Sequence, residues 1–192
     1  MENKKYKLTD ETIEVEGKIL YRIEALKDFG KIKNGDNGGF IESENNLAHE
    51  GDAWVSDNAC VYDNACVYDN ARVCGSASVC GNARVSDNAC VSDNAYVSDN
   101  ACVYGTSCVY GSASVCGDAE ISTDADYIVF KNWWSSGRYF TWTRSNNMWS
   151  VGCFYCTGDE LIKKAYQDSE KSGREYERVV KYIEEIKKEN GK

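Results

Sequence analysis

Few residues in this 192-residue chain have a type and spacing that could do chemistry. Cys153-Phe154-Tyr155-Cys156 is a C-x-x-C, the spacing of half a zinc site or of a redox dithiol. A zinc site needs a second ligand pair, and none is visible. A redox dithiol normally opens a helix in a βαβ setting, which the flanking sequence lacks. Structural thiols are the expectation, with metal and redox roles as the alternatives. His49 is the one histidine, and it stands at a repeat position where Val belongs, at the capped end. No G-x-x-x-x-G-K-[ST] or G-x-G-x-x-G phosphate cradle occurs. The aromatics of residues 127–156, with Arg138 or Arg144, offer a rival reading as a nucleotide site. No catalytic, metal or cofactor residue is assigned.

Charge is the more informative signal. The chain carries 31 acidic against 22 basic residues, a net charge of −9. Between Ile41 and Asp126, fourteen acids face only Arg72 and Arg84, so this segment stands at −12 and the two ends together at +3. Such a segment repels nucleic acid and attracts basic protein surfaces. Asp57, Asp63, Asp69, Asp87, Asp93 and Asp99 are the candidate partner-binding acids, with Trp133 and Trp134 beside them as exposed-aromatic candidates. The bland reading of those aspartates is turn chemistry plus solubility.

The elements that hold these residues follow from a repeat. From Leu47 to Asp124 the chain runs in thirteen hexads without an insertion. Position one is Ala in eleven of them, with Leu47 and Ser107 the departures; position three is Val in eleven, with His49 first and Ile121 last. Positions five and six are mostly Asp-Asn or a Gly pair such as Gly-Ser. Ala and Val two apart point to one side of an extended segment, so each hexad predicts a short strand with a narrow interior. The turn follows because Asp, Asn and Gly tolerate positive φ. One such strand cannot bury its apolar side alone; stacked coils can. Stacking every 18 residues predicts inner columns Val55-Val73-Val91-Val109, Val67-Val85-Val103-Ile121 and Val61-Val79-Val97-Val115. It also predicts an outer column Trp54-Arg72-Cys90-Cys108 and an amide ladder Asn64-Asn82-Asn100.

This small-x-aliphatic order resembles the left-handed parallel β-helix family built on hexapeptide repeats. The resemblance implies an all-β solenoid with three hexads per triangular coil, about four coils over residues 47–126. Acyl transfer is the family's best-known activity. It needs a histidine base and usually a loop leaving the solenoid. His49 falls at the capped end and no loop breaks the hexads, so acyl transfer stands as an alternative only.

Residues 1–46 read as an N-terminal β cap and residues 127–192 as a small β-β-β-α-α module. Thr157-Gly158-Asp159-Glu160 is a capping box that opens a first helix; Ser172-Gly173 is expected to interrupt it. A second helix carries Tyr176, Val179, Val180, Ile183 and Ile186 on one face. That face must pack on the first helix, on the β-module or on another chain, and it is the candidate oligomerisation surface of a homo-oligomer, dimer or trimer. Eight of the ten cysteines occupy repeat positions and are expected to be free thiols. There is no proline, no apolar stretch long enough for a membrane span and no signal peptide in MENKKYKLTDET, so a cytoplasmic location is expected.

The whole order, with LYRIEALKDFG and GGFIESENNL before the hexads and GCFYCTGDEL after them, resembles phage and prophage proteins of unassigned function. The resemblance implies a viral accessory role inside a bacterial host. The resulting expectation is a non-enzymatic binding protein: a rigid acidic β-helix that engages a host protein with a basic surface, and inhibits a defence protein. The alternatives are a nucleotide-signal sponge and a hexapeptide-type acyltransferase.

Overall fold

Alanine and valine at alternate positions wind the chain as their spacing demands. The computed structural model describes residues 4–189; Met1–Asn3 and Asn190–Lys192, at the ends of the two predicted flanking segments, lie outside them. From Ala53 onward each hexad supplies a two-residue strand, β4 (Trp54–Val55) through β15 (Glu120–Ile121). Strands 18 residues apart pair in parallel, so Val55 meets Val73, Val61 meets Val79 and Val67 meets Val85. All three predicted inner columns form, and every member is fully buried. Ser107 replaces Ala in the interior because its hydroxyl donates to the carbonyl oxygens of Tyr104 and Ile121, at 2.8 and 3.2 Å. A buried hydroxyl with partners carries little penalty.

The cap begins with a hairpin, β1 (Tyr6–Val15) and β2 (Lys18–Ala25), followed by β3 (Asn37–Ile41). β3 runs antiparallel to β2 yet parallel to the Cys60–Val61 strand, so it forms the first rung of that column. The column therefore holds five parallel strands, one more than the hexads alone provide. Leu47 bridges Val67 and fills the inward place on the first rung. His49 does not occupy a valine position, because the pairing step here is 20 residues rather than 18 and two extra residues lie in the corner. Its ring instead stacks on Tyr6, with centroids 4.4 Å apart. Lys5 closes the same end: its ammonium donates to the carbonyls of Ala53, Glu50 and Gly51, at 2.8, 3.4 and 3.4 Å. At the other end the Tyr127 hydroxyl donates to the Cys108 carbonyl at 2.9 Å.

The C-terminal module has four antiparallel strands rather than the three expected: β16 (Tyr127–Lys131), β17 (Tyr139–Thr143), β18 (Met148–Val151) and β19 (Phe154–Cys156). Two helices follow, α1 (Gly158–Asp168) and α2 (Glu170–Glu189). The Thr157 capping box is present, with Glu160 accepting from the Thr157 amide at 2.9 Å. The break between the helices falls at Ser169, not at Ser172-Gly173. Gly173 lies inside α2, where a Cβ would run into the Tyr166 ring; it is there for close approach of the two helices.

The apolar face of α2 is covered by the module itself. Tyr176, Val180 and Ile183 are buried with Phe140, Trp142 and Trp149, and Val179 and Ile186 pack against the same cluster. The reason for assigning these residues to an oligomer contact is thereby removed, since the sheet supplies what a second copy would have supplied. Among the described residues no helix is long and apolar enough to cross a membrane.

Candidate functional site

The candidate acids stand at the corners of the rod, and their backbone explains their identity. Asp57, Asp63, Asp69, Asp87, Asp93 and Asp99 all have φ between 56° and 60°. Glycine occupies the equivalent place at Gly75, Gly81, Gly105, Gly111 and Gly117. Aspartate is among the few side chains that enter this region readily. Each corner aspartate also reaches to the next coil. Its Oδ2 accepts the amide 18 residues on: Gly75 to Asp57 at 3.0 Å, Gly81 to Asp63 at 3.1 Å, Gly105 to Asp87 at 2.9 Å, Gly111 to Asp93 at 3.0 Å and Gly117 to Asp99 at 2.9 Å. Asp69 takes the Asp87 amide at 3.4 Å. Beside them the predicted asparagine ladder forms, Asn64 to Asn82 at 3.1 Å and Asn82 to Asn100 at 3.0 Å.

These carboxylates thus stitch rung to rung. Asp63 is half-buried and pairs with Lys18 at 2.6 Å, which holds its carboxyl below the usual aspartate range. The other five are exposed, and among the described residues none has an ion-pair partner. Two faces of the rod adjoin them and stay open. One carries the predicted column Trp54, Arg72, Cys90 and Cys108, with Trp54 closed over by Phe29 at 5.3 Å. Another carries Arg84, Cys102 and Glu120. The third face is roofed: Leu20, Ile13 and Val15 of the hairpin cover Cys60, Tyr62 and Cys80, and Thr141 and Ser150 of the C-terminal sheet bond Ser114.

The thiols are free, including the neighbouring pair Cys90 and Cys108. Burial pushes the Cys90 thiol up to about 11 and the Cys156 thiol up to about 12, which makes both poor nucleophiles. Cys153 is exposed at the β18–β19 turn whereas Cys156 is buried in the module core, so the C-x-x-C is not brought to one surface. Among the described residues no group of three or more His, Cys, Asp or Glu is placed to hold a metal ion. His49 accepts the Lys5 amide at Nδ1, 3.2 Å, and its Nε2 lies 3.6 Å from Glu44, itself bound to Lys4 at 2.7 Å.

The two candidate tryptophans part ways. Trp133 is 74% exposed, whereas Trp134 is buried edge-on against Tyr176 at 5.1 Å. Trp134 is a core residue and is withdrawn from the partner surface. Sequence reasoning missed Asn132, which is buried, donates to the Tyr176 hydroxyl at 3.0 Å and accepts the Ser135 amide at 3.0 Å. The signal was present in Asn132 followed by Ser135, Ser136 and Gly137, which is turn chemistry. No protein-family model matches the chain, and no curated protein is similar to it.

Proposed function

We propose that the chain is a non-enzymatic binding protein of phage or prophage type, whose rigid acidic rod engages a basic surface on a host protein and blocks it. The observation that carries this reading is the corner geometry. Asp57, Asp69, Asp87, Asp93 and Asp99 are exposed and have no ion-pair partner among the described residues, and each is anchored through one carboxylate oxygen to the next coil. Charges fixed in this way keep their spacing on binding and lose little side-chain entropy. Like charge disfavours nucleic acid as the partner. The hexad order Ala-x-Val supports assignment to the left-handed hexapeptide type, and the bacterial cytoplasm is the setting such a role requires. The test is isosteric neutralisation. A variant with these five aspartates changed to Asn keeps an acceptor at each corner and loses five charges. It is expected to melt near the parent temperature and to lose the basic host proteins that the parent retains on a column at low salt.

A further inference from the structure

The C-terminal module carries a half-open cleft of about 420 Å³ between the 132–138 loop, the β18–β19 turn and the two helices. That volume lies within the range of roughly 300–1,000 Å³ occupied by small-molecule sites. Val151, Leu161 and Ala165 give it an apolar wall, and Arg138, Lys164 and Cys153 stand among its lining. The polar groups are few and unevenly satisfied. Lys164 is balanced by Asp168 at 3.9 Å, and both line the cavity. Arg138 has no carboxylate within ion-pair distance among the described residues. Its charge is therefore the one that the cavity leaves uncompensated. Deeper in, the Tyr176 hydroxyl accepts from Asn132, and its own hydrogen has no acceptor among the described residues. Both groups are donors, and both lack an acceptor.

We propose that this cavity binds a small, flat organic monoanion, its ring against Val151, Leu161 and Ala165 and its acidic group received by Arg138. Arg138 is exposed at the edge of the apolar wall, so a neutral molecule gains nothing from it, whereas a single negative charge gains a charge-assisted hydrogen bond; the further charges of a polyanion would meet apolar wall or Asp168. A carboxylate, sulfonate or phosphate diester, each a single negative charge at neutral pH, meets the requirement through the same oxygen acceptors. Burial raises the Tyr176 hydroxyl above its ordinary value, so it stays protonated and able to donate. This site is separate from the acidic corners, and its failure or success leaves the binding role of the rod untouched.

Two dyes of similar shape test it on the full chain: anilinonaphthalene sulfonate, a flat aromatic monoanion, and phenylnaphthylamine, its neutral relative. The parent should bind the sulfonate saturably at one site per chain. Arg138→Gln, an exposed change, should weaken the sulfonate roughly tenfold and leave the neutral dye within about twofold. Saturating sulfonate should also shield Cys153 from maleimide, read by peptide mass spectrometry, while Cys102 and Cys108 on the open faces react as before. Absence of saturable binding, equal loss of both dyes in Arg138→Gln, or unshielded Cys153 would each overturn the proposal.

Discussion

The carboxylate of Asp99 accepts the amide of Gly117, 18 residues later and one coil along, at 2.9 Å. The bond joins two residues of the same corner, both with positive φ, at 59° and 69°. It makes the acidic surface and the rod's rigidity one feature rather than two. Asp99→Ala should lose the inter-coil bond and leave the left-handed backbone without the polar side chain that lets aspartate tolerate it, about 2 kcal/mol in all. Asp99→Asn should cost well under half of that. Equal denaturant midpoints for the two variants would show that the corner bond is idle.

The inner columns predict a larger effect. Val85 is fully buried between Val67 and Val103. Val85→Asp places an unpaired charge there, at a cost of several kcal/mol. Thermal unfolding monitored by circular dichroism should show a lowered or absent transition; parental melting would mean that the register is wrong.

Acid should loosen the joint between rod and module through Asp126. Burial raises its carboxyl, but hydrogen bonds from the amides and hydroxyls of Ser122 and Thr123, 2.8–3.2 Å, outweigh this and hold it below the ordinary 3.8. A depressed carboxylate contributes stability that is complete above its unfolded value and is lost as pH falls through the folded one. The parent should therefore lose stability progressively below about pH 4. Asp126→Asn should be destabilised by about 1–2 kcal/mol at pH 7 and should lose less on acidification. Some acid slope will remain, because Asp63, Glu44 and Glu160 are depressed as well. An unchanged slope in the variant would remove Asp126 from the account.

Cys90 and Cys108 face each other on adjacent strands and are free. Burial keeps the Cys90 thiol protonated near neutrality. Protein purified under air and alkylated after denaturation should take up ten labels without reductant, matching its ten cysteines. A count of eight would reveal a bridge.

The rod was legible because its signal is strictly periodic: Val every six residues cannot be satisfied by any but a coiled interior, and each stacked column appeared where an 18-residue step put it. The first rung was not legible. Leu47 rather than His49 turns inward because the cap strand β3 joins the stack out of step, and nothing local marks a two-residue shift. The fate of the α2 face was equally hidden, since Tyr176 and Ile183 read as apolar whether a sheet or a second copy covers them. The corner aspartates carried both of their roles in plain view. Asp above Gly at 18-residue intervals, as in Asp57-Gly75 and Asp99-Gly117, was the trace of the inter-coil bond.

The central claim is that fixed corner charges bind a basic protein. The direct measurement is retention of host-cell proteins by the immobilised full chain and by the variant carrying Asn at residues 57, 69, 87, 93 and 99, over a salt gradient. The account predicts that the parent alone retains a basic protein, which elutes as salt screens the corners. A partner held equally by both, or held by the parent without regard to salt, would contradict it.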